Sequence, residues 1–282
     1  MERETQRCLA EAFRKLHDRS RLLVLPNAWD VVSARIFEQA GFPAVATSSA
    51  AVAWSLGYPD GEYIHREEMA EVVRRIAHAL AVPVTADMEA GYGPKPEDAA
   101  ATLRAVVEAG AVGLNLEDSI PGGPPALFEL SLSVERVRAV REAADAAGVP
   151  VVVNARTDVY LLGIGAESER FEHAVRRVNA YRQAGADSLF VPGVRDAQTI
   201  GQLVRAIDGP LNVLAGPGIP TAAELQRLGV ARISTGGGPM RATLTLVRRI
   251  AEEMRDAGVF TSFTRDTISY DEVNALLAAK PS

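Results

Sequence analysis

The chain is poor in the residues on which several common chemistries depend. It has a single cysteine, Cys8, among 282 residues, which excludes an internal disulfide and any site built from several thiolates. Only three lysines occur, Lys15, Lys95 and Lys280. None falls in a predicted strand, so a barrel enzyme that forms a Schiff base is not expected. One cysteine also fits a reducing compartment, and the cytoplasm is the predicted location.

Long apolar runs and basic clusters are missing too. No uninterrupted apolar stretch approaches the roughly 18 residues of a membrane span, and the charged N-terminal segment has no apolar core. The net charge is -6 at pH 7, so neither a membrane protein nor a nucleic-acid binder is expected. The histidines fall on predicted helices or at a helix start, which disfavours a zinc site: His17, His65, His78 and His173.

What the chain does contain is a repeated pattern of a short apolar run, a glycine-rich or polar break, and a stretch with helical spacing. Several helical stretches end in glycine just before the next run, which is typical of helix C-termini. The runs predict eight strands, at 21–28, 42–49, 83–89, 111–118, 150–158, 187–194, 211–216 and 231–237. Eight such units without a linker predict an α/β fold, a closed (β/α)8 TIM barrel that forms one domain over residues 1–282.

Two segments lie outside this repeat. An extra helix is predicted at about 3–19, before the first strand. A tail, 259–282, follows the last large helix and contains "ISYDEVNALLAA". Its Ile268, Val273, Leu276 and Leu277 form an apolar stripe that a complete barrel does not need, so the tail is predicted to contact another subunit.

Acidic residues cluster where the predicted strands end. The active site of a (β/α)8 barrel lies at the C-terminal ends of the strands. Asp87 and Glu89 end the third strand and, being two residues apart, are expected to share a face. The other strand ends add further polar groups: Ser48, Ser49, Glu117, Asp118, Asn154, Arg156 and Asp158.

Several carboxylates in one cleft repel each other and lose hydration unless a cation or an arginine offsets them. One interpretation is that these acids cap the following helices or pair with Arg156. The other is a cation site. Carboxylates without histidine or cysteine suit a hard cation, so Mg2+ or Mn2+ is the predicted cofactor, used on a small anionic substrate.

Four blocks of sequence resemble the isocitrate lyase / phosphoenolpyruvate mutase superfamily, in order and at similar spacing across most of the chain. They are "TSSAAVAWSLGYPDGE", "VPVTADMEAGYG", "AGAVGLNLEDS" and "VVVNARTDVYL". The resemblance implies a Mg2+-dependent barrel that binds a 2-oxo or enol carboxylate. It implies metal-site acids at Asp87, Glu89 and Glu117, and a further acid at Asp60. It also implies a homotetramer whose C-terminal helices are exchanged between subunits.

The same resemblance assigns roles to rim residues. Arg156, Asp60 and Glu117 are the predicted catalytic residues. The metal would stabilise the enolate that forms when the bond beside the substrate's 2-oxo group breaks, and the Arg156 fork would contact the same charge. The predicted substrate-binding residues are Ser48, Ser49, Asp87, Asn154, Arg156 and Gly237.

Two segments depart from the family or leave a choice open. Lyases of the family carry a cysteine in the loop after the fourth strand, and the mutase and phosphonopyruvate hydrolase branches carry lysine and asparagine there. Here that loop reads "SIPGGPPALFELS", and Cys8, far from it in sequence, is expected to be buried or inert. The segment "ISTGGGPMRA", with Arg241, predicts either a phosphate-binding turn or a plain tight turn.

These patterns predict a Mg2+-dependent lyase or hydrolase that cleaves a carbon–carbon bond next to the 2-oxo or enolisable carboxylate of a small, oxaloacetate-like acid. One alternative is a phosphoenolpyruvate mutase-like or phosphonopyruvate-cleaving enzyme, which the glycine run favours and the missing loop residues oppose. A second alternative is a barrel that binds a 2-oxo acid without turning it over.

Overall fold

Parallel strands line the inside of a barrel in the computed structural model, which describes residues 1–278. The strands are β1 (Leu23–Leu25), β2 (Asn27–Ala28), β3 (Val45–Thr47), β4 (Val84–Asp87), β5 (Gly113–Glu117), β6 (Val152–Arg156), β7 (Ser188–Phe190), β8 (Leu211–Leu214) and β9 (Arg232–Ser234). The order in the sheet is β1-β9-β8-β7-β6-β5-β4-β3-β2.

The first strand of the barrel is divided at Pro26. β1 pairs with β9 and β2 pairs with β3, while Pro26 alone separates β1 from β2 and accepts a hydrogen bond from Ala46 N at 2.9 Å. The two short pieces therefore act as one strand that closes the sheet on itself. The predicted α/β barrel is confirmed, with its first strand split in two.

Helices surround the strands, as parallel pairing requires. They are α1 (Arg3–Lys15), α2 (Val31–Gln39), α3 (Ser49–Ser55), α4 (Arg66–Ala79), α5 (Pro96–Glu108), α6 (Leu130–Ala147), α7 (Arg170–Gln183), α8 (Ala197–Ala206), α9 (Ala222–Leu228), α10 (Gly238–Ala257) and α11 (Tyr270–Ala278), with 3-10 turns at Glu167–Glu169 and Thr261–Phe263. None of the helices within residues 1–278 is long and apolar enough to cross a membrane.

Helix α1 closes the N-terminal end of the barrel. Phe13 is fully buried, and its ring packs so close to Gly113 that a Cβ there would lie 2.8 Å away. The predicted helix at 3–19 is too long, because the chain turns after Lys15 and Asp18 accepts a hydrogen bond from Ser20 N at 2.9 Å. Since α1 covers this end of the strands, the strand-end acids lie at the other, C-terminal end of the barrel.

Several predicted strands were also too long at their C-terminal ends. β3 stops at Thr47 because the Ser48 hydroxyl accepts a hydrogen bond from Ala51 N and caps α3. β4 stops at Asp87, and Glu89 lies beyond it with a φ of 50°, in the left-handed region that few side chains adopt. The expectation that Asp87 and Glu89 share one face of a strand was therefore wrong, because a turn rather than strand alternation sets the direction of Glu89.

The last helices leave much apolar surface exposed. Met240 is the only buried residue of α10, and Leu244, Val247 and Phe260 are exposed. Helix α11 lies against α2 of the same chain, with Ile268 and Leu277 still exposed. Apolar patches of this kind commonly mark subunit contacts. The exchange of the tail between subunits stays a prediction, and its residues 279–282 lie outside the described part of the chain.

We expect the protein to be a homo-oligomer, most simply a tetramer, because α10 and the tail would otherwise expose these apolar side chains to water. Light scattering at micromolar protein should give a mass several times that of one chain. Deleting the residues after Asp266 should lower that mass while leaving the far-ultraviolet circular dichroism of the barrel intact. A monomer whose mass does not change on this deletion would contradict the prediction.

Candidate active site

Asp87 occupies the C-terminal end of β4 and is held by three donors. Its Oδ2 accepts hydrogen bonds from Ser49 N at 3.2 Å and Ser49 Oγ at 2.8 Å. Its Oδ1 accepts one from Asn115 Nδ2 at 3.2 Å. The predicted substrate contact Ser49 thus holds the carboxylate in this structure. Three donors therefore fix the orientation of the Asp87 carboxylate.

Glu89 is clamped to the loop before α4. Its Oε2 accepts a hydrogen bond from Glu62 N, while Glu62 Oε1 accepts one from Tyr92 N at 2.7 Å. The two glutamates therefore cross-link the segment that contains Asp60 to the turn after β4. The other carboxylate oxygen, Glu89 Oε1, is buried and has no hydrogen-bond partner among the described residues.

The turn after β4 is supported from below by Arg136 of α6. Its guanidinium donates to Gly93 O at 2.6 Å and also to Ala90 O. Gly91, with a φ of 90°, lies so close to the barrel that a Cβ would be 2.9 Å from Leu116. A residue with a side chain would push this turn outward, so the glycine positions the acids just before it.

Burial, reinforced by repulsion between carboxylates, shifts the acids here toward their neutral forms. Burial first, and then the charges of Asp60 and Asp87, raise the pKa of Glu89 to about 8. Loss of hydration and the charge of Asp87 also raise the pKa of Asp60, against a smaller opposing effect of Arg156. These shifts indicate acids that a positive charge would stabilise in their ionised form.

Arg156 at the end of β6 is shared by two other carboxylates. Its Nη1 lies 2.6 Å from Glu117 Oε2, and its Nε and Nη2 donate to the two oxygens of Asp158 at 2.6 and 2.9 Å. The interpretation that strand-end acids pair with Arg156 is thus realised for Glu117 and Asp158. A guanidinium has more N–H donors than these contacts use, so Arg156 keeps donors for a substrate oxygen.

Asn154 lies one step deeper in the barrel than Arg156, since Asn154 pairs in register with Asn115 and Arg156 with Glu117. Its Nδ2 donates to Asn115 Oδ1 at 2.8 Å, and it is fully buried. Asn154 therefore supports the Asp87 carboxylate through Asn115, and its predicted contact with substrate stays a prediction.

The glycine run after β9 borders a cavity of about 310 Å3 at this end of the barrel. A Cβ on Gly237 would lie 3.8 Å from Ser48 Oγ, so the run lies beside the Ser48 turn. The cavity lining includes Arg195 and Arg241 but no acidic residue. A larger cavity, of about 540 Å3, lies at the opposite end beside Lys15 and is remote from the rim acids.

The rim residues fit a hard cation that keeps part of its water shell. Within residues 1–278, no three side chains of histidine, cysteine, aspartate or glutamate converge closely enough to hold an ion unaided. Mg2+ usually takes one or two carboxylates and completes its shell with water and substrate oxygens. Asp87 and Glu89 suit this role, since Glu89 Oε1 has no partner. Glu117, the third predicted ligand, is bound to Arg156, and its role at the metal stays a prediction.

Cys8 lies on the outer face of α1, at the closed end of the barrel, and its thiol is exposed. The expectation of a buried thiol was wrong, whereas that of a thiol without a catalytic part stays a prediction. We expect Cys8→Ser, or alkylation of the wild type, to leave turnover within about twofold, since surface substitutions change little. A large loss of activity on alkylation that Cys8→Ser prevents would give the thiol a role.

Three functional contacts escaped the sequence reasoning: the Glu62 clamp, the Arg136 support and the amide of Asn115. Asn115 is the one that a pattern could have identified, because a polar residue in the middle of a buried strand points into the barrel. The role of Arg136 could not be predicted, since an arginine on an amphipathic helix normally faces solvent.

The family model described as phosphoenolpyruvate phosphomutase matches residues 13–255. The chain belongs to this family. An oxaloacetate decarboxylase of Pseudomonas aeruginosa strain LESB58 is 31% identical over 269 residues, covering 91% of this chain and 89% of that protein. A 2-methylisocitrate lyase of Halalkalibacterium halodurans is 28% identical over 293 residues, covering 97% of this chain and 94% of that protein.

Solved structures agree in fold. A protein from Burkholderia cenocepacia J2315 is 40% identical, with a TM-score of 0.91 over 99% of this chain and 98% of that one. A phosphonopyruvate hydrolase in complex with oxalate and Mg2+ is 26% identical, with a TM-score of 0.82 over 95% of this chain and 94% of that one. The family thus includes lyases and hydrolases of small acids.

Proposed function

We propose that this protein is a Mg2+-dependent enzyme, with Mn2+ as a substitute, that cleaves a carbon–carbon bond next to the 2-oxo carboxylate unit of a small oxaloacetate-like acid. The observation that carries the proposal is the buried, unpartnered oxygen of Glu89 next to the fixed Asp87 carboxylate, at the same barrel end as Arg156. A relative named oxaloacetate decarboxylase and a neighbour with oxalate and Mg2+ support it.

In this proposal some residues bind charged groups and others hold those residues in position. Asp87 and Glu89 would hold the metal, which supplies Lewis-acid polarisation of the 2-oxo group when bound. Arg156 retains N–H donors beyond those used by Glu117 and Asp158, and these bind the oxygen on which negative charge grows as the bond breaks. Ser49 and Asn115 keep Asp87 in place throughout.

The cavity beside Ser48 supports a substrate with a second acidic group. Arg195 and Arg241 line it, and neither forms an ion pair with an acid among residues 1–278. Backbone N–H groups at the start of α10 add positive potential. A dicarboxylate that places one carboxylate near Arg156 and the other in this cavity would satisfy both ends.

The loop between β5 and α6 supports a reaction that needs no protein acid at that position. Its tip, at 121–125, consists of proline and glycine. When oxaloacetate loses carbon dioxide, the bond between C3 and its carboxylate breaks, and the electron pair forms an enolate with its negative charge on the 2-oxo oxygen. Water then protonates the carbon, so decarboxylation can proceed without the cysteine of the lyases.

The second candidate is cleavage of a phosphonate such as phosphonopyruvate. The glycine run before α10 favours it, since such runs hold phosphate groups in many barrels. The third is a barrel that binds a 2-oxo acid without turnover, which the absence of cysteine, histidine and lysine from the β5–α6 loop would permit.

A product-detected screen tests these candidates. Oxaloacetate, phosphonopyruvate and 2-methylisocitrate are each incubated with the protein, in Mg2+ and in excess EDTA, with release of pyruvate, phosphate and succinate followed separately. We expect pyruvate from oxaloacetate above the metal-catalysed background, and no enzyme-dependent product in EDTA. Phosphate release would favour the second candidate, and binding without any product would favour the third.

A further inference from the structure

A buried ion pair outside the proposed machinery joins β5 to α7. Asp118 follows β5, and its Oδ2 accepts hydrogen bonds from Arg177 Nε at 2.7 Å and from the Tyr181 hydroxyl at 2.7 Å. The side chains of Asp118 and Arg177 are 2% and 4% exposed. An apolar pair of similar volume is often as stable as a buried ion pair, so stability alone gives no reason for these charges.

One end of this pair controls the arginine of the proposed site. Asp118 Oδ1 accepts a hydrogen bond from Asp158 N at 3.0 Å. The carboxylate of Asp158 in turn binds both Nε and Nη2 of Arg156. A shift of Asp118 would move the Asp158 backbone and with it the guanidinium fork of Arg156.

The other end fixes the base of the β5–α6 loop. Arg177 Nη2 donates to Phe128 O at 2.6 Å and to Ser133 Oγ at 3.0 Å. Phe128 N donates to Asp118 O at 2.8 Å, and the ring of Phe128 packs on the Arg136 guanidinium, whose carbon lies 4.5 Å from the ring centre. The two ends of the loop are therefore tied to each other and to α7.

Within the loop, the chain folds back on itself. Ile120 N donates to Ala126 O at 2.9 Å, and Ser119 and Leu127 form an antiparallel bridge. The Ser119 hydroxyl also donates to Glu117. This loop is thus a short hairpin whose base depends on Asp118 and Phe128. Its Ser119 contacts the Glu117 carboxylate, which pairs with Arg156.

We propose that Arg177 and Asp118 are positioning residues for the active site: the pair orients Arg156 through Asp158 and holds the β5–α6 loop through Phe128. The inference rests on the proposed function where it gives Arg156 a substrate contact. Neither residue reaches the rim, so both act through the groups that they hold.

Two readouts test the pair. Hydrogen exchange of the ligand-free protein reports the loop and the Asp158 segment directly, and calorimetric titration with oxalate in saturating Mg2+ reports the site. In Arg177→Met we expect faster exchange confined to segments 118–128 and 156–160. Oxalate should bind about 10–100-fold more weakly, the range found when groups that orient ligand side chains are removed.

Further variants separate positioning from stability. Arg35 is also buried and ion-paired, with Glu38 at 3.1 Å on the outer helix α2. Arg35→Met should therefore change neither hydrogen exchange in segments 118–128 and 156–160 nor the affinity for oxalate. Arg177→Lys keeps a charge for Asp118 but lacks the planar fork that also reaches Phe128 and Ser133, and its affinity should lie between wild type and Arg177→Met. If Arg177→Met does not fold, Tyr181→Phe removes one hydrogen bond to Asp118 and should weaken oxalate about two- to tenfold.

Wild-type affinity for oxalate in folded Arg177→Met or Tyr181→Phe, or faster exchange spread evenly over the barrel, would overturn the positioning role. Should the wild type itself not bind oxalate, the proposed function fails instead. The exchange pattern then decides the role of the pair by itself: localised change supports it and uniform change overturns it.

Discussion

Glu89→Gln is expected to lower turnover by roughly 100-fold or more while leaving the barrel folded. Groups that merely support a metal ligand are worth about 10–100-fold, and Glu89 is proposed to bind the ion itself. Asp87→Asn should act in the same direction. The measurement is steady-state turnover against Mg2+ concentration, together with the rise in thermal midpoint on adding Mg2+, which reports binding without turnover.

In the absence of a cation, Glu89→Gln should make the fold more stable, although it lowers turnover. The folded-state pKa of Glu89, about 8, lies above its ordinary value of 4.5. Without a cation, the unfolded chain loses this proton first, so the carboxyl destabilises the fold increasingly as pH rises from about 4.5 to 8. In EDTA, Glu89→Gln should therefore unfold at a higher temperature than the wild type at pH 8, with the difference vanishing near pH 4.

The matched control is Glu108→Gln, which changes an exposed glutamate on α5. It should alter neither the response to Mg2+ nor the pH dependence of unfolding. Undiminished turnover in excess EDTA would contradict the assignment of Asp87 and Glu89 as metal ligands. A full Mg2+-induced rise in the thermal midpoint of Glu89→Gln would show that the ion binds elsewhere.

The architecture could be predicted because it follows from local patterns. Apolar runs between helical stretches predicted the parallel barrel, and glycines predicted the C-terminal ends of α5, α6, α7 and α9. The errors lie where a single contact ends an element. The Ser48 cap stops β3 one residue before that serine, and a left-handed Glu89 cannot continue β4. Such endings depend on side-chain hydrogen bonds that the apolar pattern does not encode.

The acids of the candidate site and their pairing with Arg156 could be predicted, whereas the distant groups that hold them could not. Strand ends identified Asp87, Glu117 and Arg156, since polar residues after buried strands share the open end of the barrel. The contacts that fix them join distant parts of the chain. Arg136 supports Gly93 across 43 residues, and Arg177 holds Asp118 across 59. One sequence without its fold offers no measure of which distant residues meet.

Arg156→Lys should lower kcat/KM by about 100-fold or more. Lysine offers a point charge in place of the planar fork, so it cannot bind both oxygens of Asp158, pair with Glu117 and still reach substrate. Removing a single preorganised donor from a developing charge costs about 100–1000-fold in other enzymes. The control is Arg14→Lys, which alters an arginine paired with Asp187 at 2.8 Å at the closed end of the barrel and should leave kcat/KM unchanged.

The choice of substrate follows from the β5–α6 loop, in which Ser119 donates to the Glu117 carboxylate that pairs with Arg156. With no cysteine, histidine or lysine in 119–129, a departing enolate is protonated by water, so 2-methylisocitrate should turn over at least about 100-fold more slowly than oxaloacetate. Initial rates on the two acids under identical Mg2+ measure this ratio. Cleavage of 2-methylisocitrate at ordinary enzymic rates, on the order of 1–1000 per second, would contradict it. The proton would then come from a residue such as Tyr92, whose hydroxyl is buried without a partner among the described residues and whose pKa is raised by burial and by the charge of Glu89, which keeps it protonated.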